Sequence, residues 1–246
     1  MKRHLHLLIV AGLLLGLSAV FVVLAYRLFG KAEDIEFGML LNVAFLPIQV
    51  LLVGIIVEGL LARRERNQLL HKMNMVIGTF FSELGTRLLG DLTAGLASRA
   101  EVLSRLGIGP AWKPADYAAA LKWAAAADFR FDGARLDLPG LKQLLLTQRQ
   151  LLVLLLANPN LMEHERFTDL LWAVSHLMEE LAARPHLDAL PQADGEHLAG
   201  DVKRVYGRLA GEWLRYCRHL QHSYPYIFSI VVRTHPLQEH PSATVV

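Results

Sequence analysis

Residues 163–184 read EHERFTDLLWAVSHLMEELAAR. Phe167, Leu170, Leu171, Val174, Leu177, Met178 and Leu181 recur at steps of three and four, so they line one side of an α-helix. Another face carries Glu165, Asp169, Trp172, His176 and Glu180 at steps of four, three, four and four. Pro185 closes the segment, because proline lacks the N–H that would continue it. A helix with so defined an apolar stripe must bury it, and the neighbouring segments must supply the covering surface.

The segments on either side have the same character. Residues 196–222 place Leu198, Val202, Val205, Leu209, Trp213, Tyr216 and Leu220 at steps of four and three, the spacing of a bundle seam. Residues 226–232 (YIFSIVV) are too short to cross a bilayer and are expected to dock on the bundle or on a membrane surface. Residues 234–246 are expected to be a disordered tail. Towards the N-terminus, residues 141–157 form an apolar run broken by Thr147, Gln148, Arg149 and Gln150, which predicts a buried core helix. Residues 129–136 surround Asp132-Gly133 and predict a turn or a very small hairpin. Residues 114–127 predict a short Ala-rich helix. Residues 67–106 predict an amphipathic helix with Met73, Val76, Ile77, Phe80, Phe81, Leu84 and Leu88 inside. Gly78, Gly85, Gly90 and Gly95 weaken that helix in isolation and point to close packing against a neighbour.

Hydrophobic residues make up 53% of the 246, enough to direct attention to membrane segments. Residues 5–27 and 38–62 are two apolar runs, the second reading GMLLNVAFLPIQVLLVGIIVEGLLA. A hydrocarbon core about 30 Å thick takes about 20 apolar residues as helix, so both predict transmembrane helices joined as a hairpin. Lys2 and Arg3 precede the first run, and Arg63, Arg64, Arg66 and Lys72 follow the second. Positive flanks stay inside, which predicts a multi-pass protein of the bacterial inner membrane with both termini cytoplasmic. The alternative for the first run is a signal peptide cleaved after Val23-Leu24-Ala25. Asn42 and Gln49 are seven residues apart and share a face of the second run. They are expected to hold the hairpin or an oligomer together, or else to line a path through it. Glu58 reads as an interface anchor, and Pro47 as a potential kink.

The expected fold is therefore all-α, with the transmembrane hairpin at 1–62, a cytoplasmic helical bundle at 63–233 and the tail beyond. A net charge of +2, with no basic cluster on one face, argues against a nucleic-acid partner. The single cysteine, Cys217, excludes an internal disulfide and multi-cysteine metal sites, and it reads as a buried structural thiol. The sequence carries no phosphate-binding glycine loop, HExxH or serine elbow, so it nominates no catalytic residue and no cofactor. The one candidate for a metal or polar site is His176 with Glu180 or Glu179, neighbours one turn apart. Asp169 lies too far along the axis to join them. One helix supplies two ligands where zinc needs three or four, and His164, His197, His219 and His222 are candidates for the others. The competing reading is a solvated acidic face. His219 and His222, beside Arg215 and Arg218, form a cationic turn suited to anionic lipid or a phosphate-bearing ligand, or else simply a solvated helix end.

Three stretches together resemble a known family. They are residues 37–89 (FGMLLNVAFLPIQVLLVGIIVEGLLARRERNQLLHKMNMVIGTFFSELGTRLL), 158–181 (NPNLMEHERFTDLLWAVSHLMEEL) and 197–236 (HLAGDVKRVYGRLAGEWLRYCRHLQHSYPYIFSIVVRTHP). The chain resembles an uncharacterised family of bacterial inner-membrane proteins, and the resemblance implies that location but no activity. The expected function is a membrane-anchored, non-enzymatic interaction or sensing module. Its expected partners are the lipid bilayer, further copies of the chain as a homo-oligomer, and a protein at the cytoplasmic domain. The alternatives are an oligomeric pore or transporter around Asn42 and Gln49, and a metal-binding protein or enzyme using His176 and Glu180.

Overall fold

The structure is a computed structural model that describes Gly16, Val20, Val23, Leu24, Tyr26, Arg27 and residues 32–132, 135–159, 161 and 164–244. The chain divides into two compact units, Met1–Arg66 and Asn67–Val246. Helix α1 spans Ala32–Phe80 and continues through Pro47. Most of the first expected span lies outside the described residues.

Among the described residues, no helix is long and apolar enough to cross a membrane. This overturns the two-span hairpin and, with it, the multi-pass inner-membrane location and the pore built from such hairpins. The physical reason is that hydropathy signals a surface in need of cover without specifying what covers it. Leu51 and Ile55 are indeed exposed on α1, interspersed with polar Asn42, Gln49 and Glu58.

The second unit is a helical assembly around one core. A π-helical turn, Phe81–Gly85, follows α1 and leads into α2, Thr86–Ala94. The remaining helices are α3 (Arg99–Leu106), α4 (Pro114–Ala126), α5 (Leu138–Thr147), α6 (Arg149–Leu156), α7 (Glu165–Ala183), α8 (Gln192–Ser223) and α9 (Pro225–Thr234). The only extended pairing among the described residues is an isolated antiparallel bridge between Leu96 and Phe131. The expected amphipathic helix over 67–106 is thus interrupted twice, at the π turn and after Ala94. The expected core helix over 141–157 is two helices that meet at Gln148, where the polar run interrupts the apolar one.

The π turn has a packing cause. Phe80 and Phe81 are both fully buried and meet edge-to-face, with ring centroids 5.2 Å apart. Phe80 also meets Phe167 of α7, and Phe81 meets Trp213 of α8. An α-helix spaces adjacent side chains about 100° apart, and the extra residue of a π turn lets both rings reach the core. Thr86 seals the turn, its backbone N–H and its hydroxyl both donating to the Phe81 carbonyl, the latter at 2.7 Å.

Among the described residues, helices α7 and α8 pack together most extensively. Every stripe residue expected on α7, from Phe167 to Leu181, is buried. On α8 the expected seam is buried throughout except at Tyr216, which is half-buried. Residues 235–244 are not a free tail. His235 and Leu237 are buried, His235 Nε2 lies 3.1 Å from the Ile108 carbonyl, and Ser242 donates to the Arg233 carbonyl at 2.9 Å. Leu237 and the two-sided imidazole supply the burial that mean composition hides in so polar a segment.

Candidate metal centre

Helix α7 ends at Ala183, residues 184–191 turn the chain, and α8 returns along it. The return places the last two turns of α7 beside the first turns of α8. His176 and Glu180 are one turn apart on α7, and His197 and Asp201 are one turn apart on α8. The four side chains converge. His176 Nε2 lies 3.4 Å from Asp201 Oδ2 and 3.9 Å from Glu180 Oε1. His197 Nε2 lies 3.5 Å from Asp201 Oδ2 and 3.5 Å from Glu180 Oε2. Ligand atoms of His176, Glu180 and Asp201 all fall within 4.8 Å of one another.

Arginines fix both carboxylates. Arg204 Nη1 donates to Asp201 Oδ1 at 2.6 Å. Arg184 donates to Glu180 Oε2 at 2.7 Å and grips Asp194 with two further N–H groups at 2.5 and 2.9 Å. The Arg184 hydrogen bond holds the Glu180 carboxyl below the usual carboxylate range, and that of Asp194 likewise. Lys142 of α5 donates to the Arg184 carbonyl at 2.6 Å and fixes the residue that fixes Glu180.

Asp201 is the unusual member. Only 2% of its side chain is exposed, and Oδ2 makes no hydrogen bond despite the two imidazoles within 3.5 Å. A buried acceptor left without a hydrogen bond costs about 1–3 kcal/mol, so this oxygen calls for a partner among the groups that face it. The imidazoles are about half exposed, so the cluster opens to solvent on the histidine side.

The other expected residues go elsewhere. Trp172 points outward, 63% exposed. Glu179 is exposed and Asp169 lies outside the cluster. His164 caps α7, its Nδ1 accepting from Phe167 N–H at 3.1 Å. His219 Nδ1 lies 3.3 Å from the Asn74 amide. Asn42 and Gln49 are exposed in the first unit. Cys217 is fully buried, and burial pushes its thiol up, as expected of a structural cysteine.

Two family profiles cover this architecture. Residues 2–61 match "MJ1433, N-terminal helical domain", and residues 69–233 match "Uncharacterized protein MJ1433, C-terminal helical domain". The chain belongs to the MJ1433 family. It is 39% identical over 231 residues to "Uncharacterized protein MJ1433" of Methanocaldococcus jannaschii, which covers 94% of this chain and 93% of that one. The family match replaces the resemblance to bacterial inner-membrane proteins, and the similar relative is archaeal. The two matched segments fall on either side of the division at Arg66, and the cluster lies wholly within the second. No solved structure matches the chain.

Proposed function

We propose that this MJ1433-family protein binds one divalent first-row metal ion between α7 and α8, and that binding locks the two helices together. The observation that carries the proposal is the buried, hydrogen-bond-free Asp201 Oδ2 facing two imidazoles. Two imidazole nitrogens and two carboxylate oxygens suit zinc, iron or manganese rather than calcium or magnesium, which take oxygen ligands alone. The separations support it. For bonds of about 2.1 Å, the edge of a tetrahedron is about 3.4 Å, and Asp201 Oδ2 stands 3.4 Å from His176 Nε2 and 3.5 Å from His197 Nε2.

The arginines act as outer partners. Each carboxylate keeps one oxygen on an arginine, which orients it and leaves the other toward the cluster. Without the ion, two anionic carboxylates face two imidazoles. His176, Glu180 and Asp201 supply three converging ligand atoms, and His197, 3.5 Å from Asp201 Oδ2, would close the fourth position of a structural or sensing site. This retains the sensing half of the expected function and drops the membrane half.

The test is metal analysis of protein purified without a histidine tag from medium supplemented with zinc, iron and manganese. One metal per chain is expected, falling to a trace in Asp201→Asn and in His176→Gln, while His164→Gln keeps it. Wild-type protein without stoichiometric metal, or variants that retain it, would overturn the proposal.

A further inference from the structure

The far end of α8 carries a second candidate site. Between the last two turns of α8 and the start of α4 lies a cavity of about 710 Å³. That size suits a small organic ligand. Trp112 and Tyr117 form its aromatic wall, and Lys113, Arg218 and His222 bring positive or protonatable groups. Among the described residues, no carboxylate lines it. Arg215 also reaches the cavity, but Glu212 holds it at 3.0 Å. The nearest acidic cap, Asp116, is occupied by the Lys113 backbone N–H at 2.7 Å.

Three features show that this is more than a solvated basic turn. Tyr117 is fully buried, and its hydroxyl, also buried, has no hydrogen-bond partner. Burial raises its pKa well above the ordinary phenol value, so the hydroxyl keeps its proton as a donor. The Trp112 wall is fixed from two sides. Gln221 donates to its carbonyl at 3.0 Å, and Tyr117 meets its ring edge-to-face at 5.1 Å. Pro114 starts α4 beside the cavity, so the positive end of the helix dipole adds to the side-chain charge.

From the buried unpartnered Tyr117 hydroxyl, the carboxylate-free basic rim and the braced Trp112, we infer that this cavity binds a small phosphate-bearing molecule with a flat ring, of the nucleoside phosphate class. The phosphate meets Lys113 and Arg218, the Tyr117 hydroxyl donates to the ligand, and the ring lies on Trp112. Arg and Lys give the phosphate charge-assisted hydrogen bonds, and an aromatic face accepts a base without regard to its sequence identity. Asp201 and Arg218 are 17 residues apart, about 25 Å along α8, so this site stands apart from the metal cluster.

The experiment is calorimetric titration of the full chain, in the presence of chelator, with AMP, ATP, adenosine and inorganic phosphate. Chelator keeps metal-bridged binding out of the result. Saturable binding of AMP or ATP at one per chain is expected, at least about tenfold weaker for adenosine and for inorganic phosphate. Arg218→Gln and Trp112→Ala should each weaken it about tenfold and Tyr117→Phe several-fold, while the distant Arg87→Gln leaves it unchanged. Tyr117→Phe keeps the ring packing and so separates binding from folding. No saturable nucleotide binding, or binding that Arg218→Gln and Tyr117→Phe both leave intact, would overturn the site. Inorganic phosphate binding as tightly as AMP would overturn the ring half of the assignment.

Discussion

Single residues decide how the core closes. Gly85 sits at the end of the π turn, and a Cβ there would stand 2.6 Å from Phe80 Cε1 and 2.7 Å from Phe81 Cδ1. Both rings are locked by Phe167 and Trp213, so neither yields cheaply. Gly85→Ala should therefore destabilise by about 1–3 kcal/mol, where Gly78→Ala, whose Cβ meets Tyr216 at an ordinary 3.7 Å, should be near neutral. Urea denaturation of both variants checks the contrast. His235 gives a pH prediction. Burial holds its pKa below the ordinary 6.5, and its Nδ1 accepts from the Leu237 N–H at 3.2 Å. The unfolded chain takes up this proton near pH 6.5, and the folded chain only at lower pH. The contribution of His235 to stability is thus complete above that value and declines as pH falls below it. Denaturation at about pH 7.5 and about pH 5.5 should show a loss that is smaller in His235→Gln, and an equal loss in both proteins would contradict this. The sequence displayed neither effect. A glycine in a helix and a histidine near a terminus acquire meaning only from the rings and carbonyls that the fold brings to them.

Elements were legible where one period ran long, and illegible where packing overrode it. The buried stripes of α7 and α8 follow from spacing alone, as does the short α4. The break at Gln148 was visible as a polar run, but its consequence, two helices instead of one, depends on where the Leu141 and Leu152 faces must point. The α7–α8 interface supplies a direct test of the core. Leu177 is fully buried, so Leu177→Ala should cost about 2–5 kcal/mol by thermal or urea unfolding. The docked C-terminal segment supplies another. Leu237 is buried, and its carbonyl packs within 2.9 Å of where a Gly107 Cβ would lie. Truncation after Thr234 should lower the melting temperature measurably, and an unchanged melt would return the segment to a free tail.

At the scale of the whole molecule, three of the four residues of the proposed cluster, His176, Glu180 and His197, were candidates in the sequence, and Asp201 was not. His176 and Glu180 announce themselves as a His-x3-carboxylate pair. His197 and Asp201 repeat the same spacing on the next helix, and that repetition was the available signal for Asp201. Asp201 was missed because it adjoins Val202 on the seam, where a carboxylate looks like a flank rather than a buried ligand. Only the antiparallel return of α8 shows it 2% exposed and facing both imidazoles. The membrane reading failed for a related reason, since apolar runs state a demand for burial without saying how it is met. The most direct test of the central claim is calorimetric titration of zinc into chelator-stripped full-length protein. Saturation at one ion per chain is expected, abolished by Asp201→Asn, weakened at least about tenfold by His197→Gln, and accompanied by a rise in melting temperature. A flat titration of the wild-type protein, or one that Asp201→Asn leaves unchanged, would contradict it.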